Sequence, residues 1–193
     1  MGKIISSDRI SCLARLGWVI NIVYSVFYVL FGIGVRSWWM FTIGVYYGIL
    51  SAVRIVVLRS KSKGRFLKRF SGIMLMLLSL PICGTVILAL VEERGTVFPL
   101  VFMLIIAIYA FTKISLAIVN LIRVRHGVTD RHTALRHISF ADALVSIFSL
   151  QRSMLVSFEG MTATEIMIMN AVIGMAVCIV VFALGLHLLL KRK

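Results

Sequence analysis

Six apolar runs, separated by short polar and basic stretches, dominate the chain: residues 16–35, 38–58, 72–91, 98–122, 138–157 and 166–190. Each is long enough, as an α-helix, to cross a hydrocarbon core of ~30 Å. The runs are continuously apolar and do not alternate with period two, so the pattern predicts helices and not a barrel. The expected fold is all-α: a polytopic membrane helical bundle of six transmembrane helices, one domain over 1–193, with no room for a separate soluble domain.

Three features of the runs need comment. The fifth carries Asp142, Gln151 and Arg152 and is the least regular. Deleting it would move the basic residues at 191–193 to the opposite side of the membrane from the other basic clusters, so it is kept. The first run follows a basic start, and Gly32 and Gly34 resemble the cleavage region of a secretory signal. It is long for a signal, and Trp38 and Trp39 follow after a two-residue turn as interfacial anchors, which predicts a retained helical hairpin. Pro81, inside the third run, predicts a kink, whereas Pro99 falls in the expected first turn of the fourth, where its missing N–H is harmless.

Composition agrees with the pattern. Hydrophobic residues make up 61% of the chain and charged residues 15%, with a mean hydropathy of +1.04. These values exclude an ordinary soluble enzyme, a disordered chain and a secreted disulfide scaffold. The net charge of +14 would by itself suggest nucleic acid. Its distribution says otherwise. Sixteen Lys and Arg residues fall in the amino-terminal segment, the 2–3 and 4–5 connections and the tail, against Arg36 and Arg94 in the remaining connections, which also carry Glu92, Glu93, Glu159 and Glu165. The positive-inside rule then predicts both termini in the cytoplasm and anionic lipid, not nucleic acid, as the partner of the basic loops.

Four ionisable residues lie within the runs: Arg54, Lys113, Asp142 and Arg152. Arg54 and Arg152 stand close enough to a span end for their heads to snorkel to the interface. Lys113 stands ten residues before Arg123, about 15 Å along a helix, and needs a partner or water. Asp142, four residues into the next, antiparallel span, is the acid at membrane depth. Two readings stay open: a structural Lys113–Asp142 pair, or a ligand or ion site. Polar residues also form helical stripes: Asn21, Ser25, Tyr28 and Gly32; Tyr47, Ser51 and Arg54; Tyr109, Lys113 and Asn120; and Asp142, Ser146, Ser149, Ser153 and Ser157. Four stripes imply a shared interior, although small and hydroxyl residues, such as Gly44-x-x-x-Gly48, are also the ordinary material of helix packing in lipid.

Other chemistry is sparse. Cys12, Cys83 and Cys178 lack metal or redox spacing and read as buried structural thiols. His126, His132 and His137 match no helical ligand pair and read as part of a solvated basic loop. Phosphate-loop, zinc-hydrolase and nucleophile-elbow motifs are absent, so neither an enzyme, a metal nor a cofactor is expected.

The two halves, of three spans each, run in opposite orientations, as in inverted-repeat transporters, with a faint parallel between 47–59 and 109–123. The stretch Tyr109-Ala-Phe-Thr-Lys-Ile-Ser-Leu-Ala-Ile-Val-Asn-Leu-Ile-Arg, followed by Ile138-Ser-Phe-Ala-Asp-Ala-Leu-Val-Ser-Ile-Phe-Ser-Leu-Gln, resembles uncharacterised multi-pass membrane proteins of Gram-positive bacteria. The resemblance implies a bacterial plasma-membrane location and no activity. In size and span count the chain is also similar to substrate-binding subunits of bacterial vitamin uptake systems, without the Ala-x-x-x-Ala of their first span. The expected function is a small solute-binding or transport protein whose ligand site is formed by Lys113, Asp142, Tyr109, Asn120 and Arg152. The alternative is a non-catalytic structural or regulatory membrane protein whose polar stripes serve packing, with a partner membrane subunit or a second copy of the chain. A cavity against Lys113 favours the first and a filled core the second.

Overall fold

The computed structural model describes residues 2–60, 64–91, 99–123, 130–157 and 160–190, and every regular element in them is an α-helix. The order is α1 (Gly2–Val35), α2 (Trp38–Arg59), α3 (Gly64–Val91), α4 (Leu100–Arg123), α5 (Asp130–Ser157) and α6 (Ala163–Leu190). All six expected helices form. Four of them, α1, α3, α5 and α6, start earlier than their apolar runs; in α3 and α5 the segments 64–71 and 130–137, expected as loop, are about two further turns of helix. Leu67, Ala134 and Leu135 are buried there, and Lys68 forms an ion pair with Asp130, joining the start of α3 to the start of α5. The acid in the first turn of α5 also suits the helix dipole. Tertiary contacts thus carry the helices beyond the apolar boundary. Pro81 lies inside α3. Pro99 stands just ahead of α4 and not in its first turn, its carbonyl accepting from the N–H of Phe102 at 2.9 Å.

Five helices are long and apolar enough to cross a membrane; α5 is not among them. Its position explains its composition. It is the one helix in contact with all five others, and its exposed large apolar side chains are Phe140, Ile147 and Met154, seven residues apart on one narrow stripe. A helix surrounded by helices needs apolar residues only where it faces outward. By contrast α1, α4 and α6 expose broad apolar faces, including Val23 and Leu30, Leu104 and Ile108, and Val172 and Ile179.

The helix contacts carry an internal two-fold pattern. Exchanging α1 with α4, α2 with α5 and α3 with α6 maps the α1–α2 contact onto α4–α5 and the α2–α3 contact onto α5–α6. The contacts α1–α4, α2–α5 and α3–α6 map onto themselves, while α3–α5 and α1–α5 have no counterpart. Each self-paired set is antiparallel. Gly17 meets Lys113 while Phe31 meets Phe102; Arg54 meets Asp142 while Trp39 meets Arg152; Gly72 meets Gly185 while Ser79 meets Cys178. The two halves therefore share a contact pattern in opposite orientation, only faintly visible in the residues.

Glycines permit the closest crossings. A Cβ on Gly72 would stand 2.8 Å from the Gly185 carbonyl oxygen, and one on Gly185 would stand 2.8 Å from the Gly72 carbonyl oxygen. On the other side of the bundle Gly44 lies against the Ser25 and Val29 backbone, and the Ser25 hydroxyl donates to the Gly44 carbonyl at 2.7 Å. The Gly44-x-x-x-Gly48 face is a close-contact face, with Gly48 against Ser25 Oγ.

Candidate functional site

The four polar stripes turn inward and meet. Asn21, Tyr28, Tyr47, Ser51, Arg54, Lys113, Asp142, Ser146, Ser149 and Ser153 are all buried. The side chain of Asn120 lies outside the described residues. Burial follows from spacing: steps of three and four residues stack each polar group over the last on one helix face, and the central helix α5 receives the faces of its neighbours.

Asp142 is the hub. One carboxylate oxygen, Oδ2, accepts three bonds from three different helices: Lys113 Nζ at 2.6 Å, Arg54 Nη2 at 2.9 Å and Asn21 Nδ2 at 3.0 Å. The Lys113–Asp142 pair is thus a direct contact. Arg54, expected to snorkel, instead points inward with its side chain 3% exposed, because the Asp142 charge offers it a partner that lipid-facing positions lack. Gly17 makes room: a Cβ there would collide with the Arg54 guanidinium, and its carbonyl accepts from Lys113 at 3.4 Å.

A layer of tyrosines covers the hub. Tyr109 donates to Asn21 Oδ1 at 3.0 Å and so orients the amide toward Asp142. Tyr24 stacks on Tyr109 with ring planes 5° apart, and Tyr47 meets both rings edge-on. The Lys113 ammonium stands 5.2 Å from the Tyr109 ring centre, within cation–π range. Hydroxyl pairs continue along α5: Tyr47 with Ser146 and Tyr28 with Ser149, both at 3.1 Å.

Arg152 sits elsewhere. It is ten residues along α5 from Asp142, about 15 Å, where its guanidinium lies 4.7 Å from the Trp39 ring centre. It is buried there and does not join Lys113, contrary to its expected place in the same site. The site therefore gathers Lys113, Asp142 and Tyr109 of the expected set and adds Arg54, Asn21 and Gly17. The stripe spacing of Tyr47, Ser51 and Arg54 carried the signal for Arg54, and that of Asn21 and Ser25 the signal for Asn21. No sequence signal marked Gly17.

Several polar atoms around the hub have no hydrogen-bond partner among the described residues: Asp142 Oδ1, Arg54 Nε, Tyr46 Oη and Ser51 Oγ. A buried cluster of two cations and one carboxylate also keeps one positive charge uncompensated. Of the unpartnered atoms, Arg54 Nε is a donor, the two hydroxyls can donate or accept, and Asp142 Oδ1 is an acceptor. A cavity of about 460 Å³ opens at the α1–α2 turn and touches neither Lys113 nor Asp142.

The remaining candidates are dispersed. His137 Nδ1 lies 2.8 Å from the Thr133 carbonyl, to which it can only donate, and the ring stacks on His187. It lies on α5 and not in a loop. Cys83 and Cys178 are half-buried, not fully buried. Among the described residues no cluster of three metal-ligating side chains occurs. Comparison with protein-family models and with curated proteins finds no match.

Proposed function

We propose that the chain is a six-span integral membrane protein of a bacterial plasma membrane, both termini cytoplasmic, that binds or transports a small anionic solute at the Asp142 hub and catalyses no reaction. The observation that carries this reading is the buried Arg54–Asp142–Lys113 cluster, with two cations around one carboxylate and the Arg54 Nε–H donor unpartnered. Intramembrane charges are costly, and an uncompensated one invites a counter-ion. Two further observations support it. The cluster lies where α1, α2, α4 and α5 meet, between inverted halves, which is where such transporters place their substrates. Counting α5 as a span, shielded by its neighbours, also keeps the tail at 191–193 on the side of the other basic clusters. The resemblance of 109–123 and 138–151 to Gram-positive membrane proteins supports the location.

A second reading has its own support: the tight tyrosine stack over the hub is what a purely structural polar core would show, and the cavity at the α1–α2 turn does not reach Lys113. Thermal-shift screening of the purified protein against small carboxylates and phosphorylated metabolites separates the two, when repeated on Lys113→Met. The solute reading expects at least one anion to stabilise the native chain and not the variant. Stabilisation by none, or equally in both, leaves the structural reading.

A further inference from the structure

The cavity at the α1–α2 turn is separate from the hub. α1 ends in a Schellman-type cap: the N–H of Ser37 donates to the Gly32 carbonyl at 3.0 Å and that of Arg36 to the Ile33 carbonyl at 3.3 Å. Such caps place their turning residue in the left-handed region, where glycine costs least. Here the residue is Arg36, with φ +55°, although Gly34 stands two positions away. A non-glycine residue held in that conformation carries a cost, and the side chain it supplies is the natural place to look for a reason.

What surrounds Arg36 gives the reason. The cavity of about 460 Å³ is lined by Gly32, Ile33, Arg36, Ser37, Trp38 and Phe41. Its walls are mostly apolar, with Arg36 and Ser37 as the polar side chains. Ser37 is 5% exposed, yet its hydroxyl makes no capping bond to α2. The first N–H groups of the 22-residue α2 are left without a side-chain cap at the same point, and a helix amino terminus favours an anion. Among the described residues Arg36 has no acidic partner. Trp38, beside it, is 71% exposed, as suits a residue at the boundary between hydrocarbon and headgroups.

We infer that this cavity holds an anionic phospholipid of the adjoining leaflet. Arg36, the Ser37 hydroxyl and the α2 amino terminus take the phosphate, while an acyl chain lies along Ile33, Trp38 and Phe41. One guanidinium matches one phosphodiester charge, and the apolar side chains lining the cavity suit an acyl chain. The inference depends on membrane insertion but not on which leaflet the turn faces, nor on the solute reading of the hub.

Fluorescence quenching by brominated lipids tests it in the full-length protein reconstituted into phosphatidylcholine vesicles. The vesicles carry a small fraction of brominated-chain phosphatidylglycerol or, in parallel, brominated-chain diacylglycerol. The Trp38 contribution is the difference between the native chain and Trp38→Phe. Phosphatidylglycerol should associate at Trp38 about tenfold more strongly than diacylglycerol, the size of one charge-assisted phosphate contact. Arg36→Gly should abolish that preference while raising the lipid-free melting temperature, since glycine relieves the left-handed turn. Ser37→Ala should weaken it less, and Lys68→Gln, at the far end of α3, should leave it unchanged. Equal quenching by the two lipids, or a preference that survives Arg36→Gly, overturns the proposal.

Discussion

Lys113 of α4 and Asp142 of α5 stand 2.6 Å apart, 2% and 1% exposed, and Arg54 of α2 shares the same carboxylate oxygen. The carboxylate therefore anchors two cations at once, and the three residues are not interchangeable. Removing the acid strands two charges, whereas removing either base leaves the acid one partner.

Stability should follow that asymmetry. Asp142→Leu should cost ~3–5 kcal/mol, the usual loss when a buried charge is left without its partner, and Lys113→Met clearly less. The double variant should recover part of the summed loss, because the two residues are in direct contact. Thermal unfolding of the four proteins in detergent measures the cycle; strictly additive losses would argue against the pair.

The tyrosine layer should contribute on a smaller scale. Tyr109→Phe removes one hydroxyl and leaves Asn21 Oδ1 without its donor, an effect of ~1 kcal/mol. Its effect should be non-additive with Asn21→Leu, since the Tyr109 hydroxyl reaches Asp142 only through Asn21. A full loss in each, summed in the double variant, would show that Tyr109 does not act through Asn21.

Glycine substitutions should distinguish the helix crossings from open surface. Gly72→Ala or Gly185→Ala sets a methyl against a backbone carbonyl that cannot rotate away, which should destabilise by ~1–3 kcal/mol. Gly84→Ala, in the same helix with nothing within 4 Å of the added carbon, should be neutral or gain ~0.5–1 kcal/mol from helix propensity. Melting temperatures of the three variants, each against the native chain, are the measurement.

The α6 start carries a reciprocal cap: Thr162 N and Oγ1 both lie 2.9 Å from Glu165 Oε2, and Glu165 N lies 3.3 Å from Thr162 Oγ1. Thr162→Ala should cost ~0.5–2 kcal/mol, chiefly as faster amide exchange over the first turn of α6. Uniform exchange along the whole helix would place the loss elsewhere.

Topology is open to direct labelling. In a background with the native cysteines replaced, Ser62→Cys should react with an impermeant thiol reagent only after the membrane is opened, and Met161→Cys should react from outside. The reverse pattern would invert the orientation deduced from the basic residues.

Helix number and the ends that carry charge were legible from one-dimensional properties alone. Run length against bilayer thickness, continuous apolarity and the clustering of Lys and Arg need no partner to be read. The stripes were legible too, because a helix repeats every 3.6 residues whatever surrounds it. Their inward orientation, and a Lys113–Asp142 contact, followed from the need of buried charge for a partner. The rest was decided by tertiary structure. Whether Arg54 snorkels or turns inward depends on where Asp142 arrives from another helix, 88 residues away. The two extra turns of α3 and α5 depend on contacts between them. That the least apolar helix lies at the centre, in contact with every other, is a property of the assembly. Hydropathy reports the average environment of a segment, whereas shielding from lipid is set by its neighbours. The relation between the halves is likewise carried by which helices touch, a pattern that many different residues can satisfy.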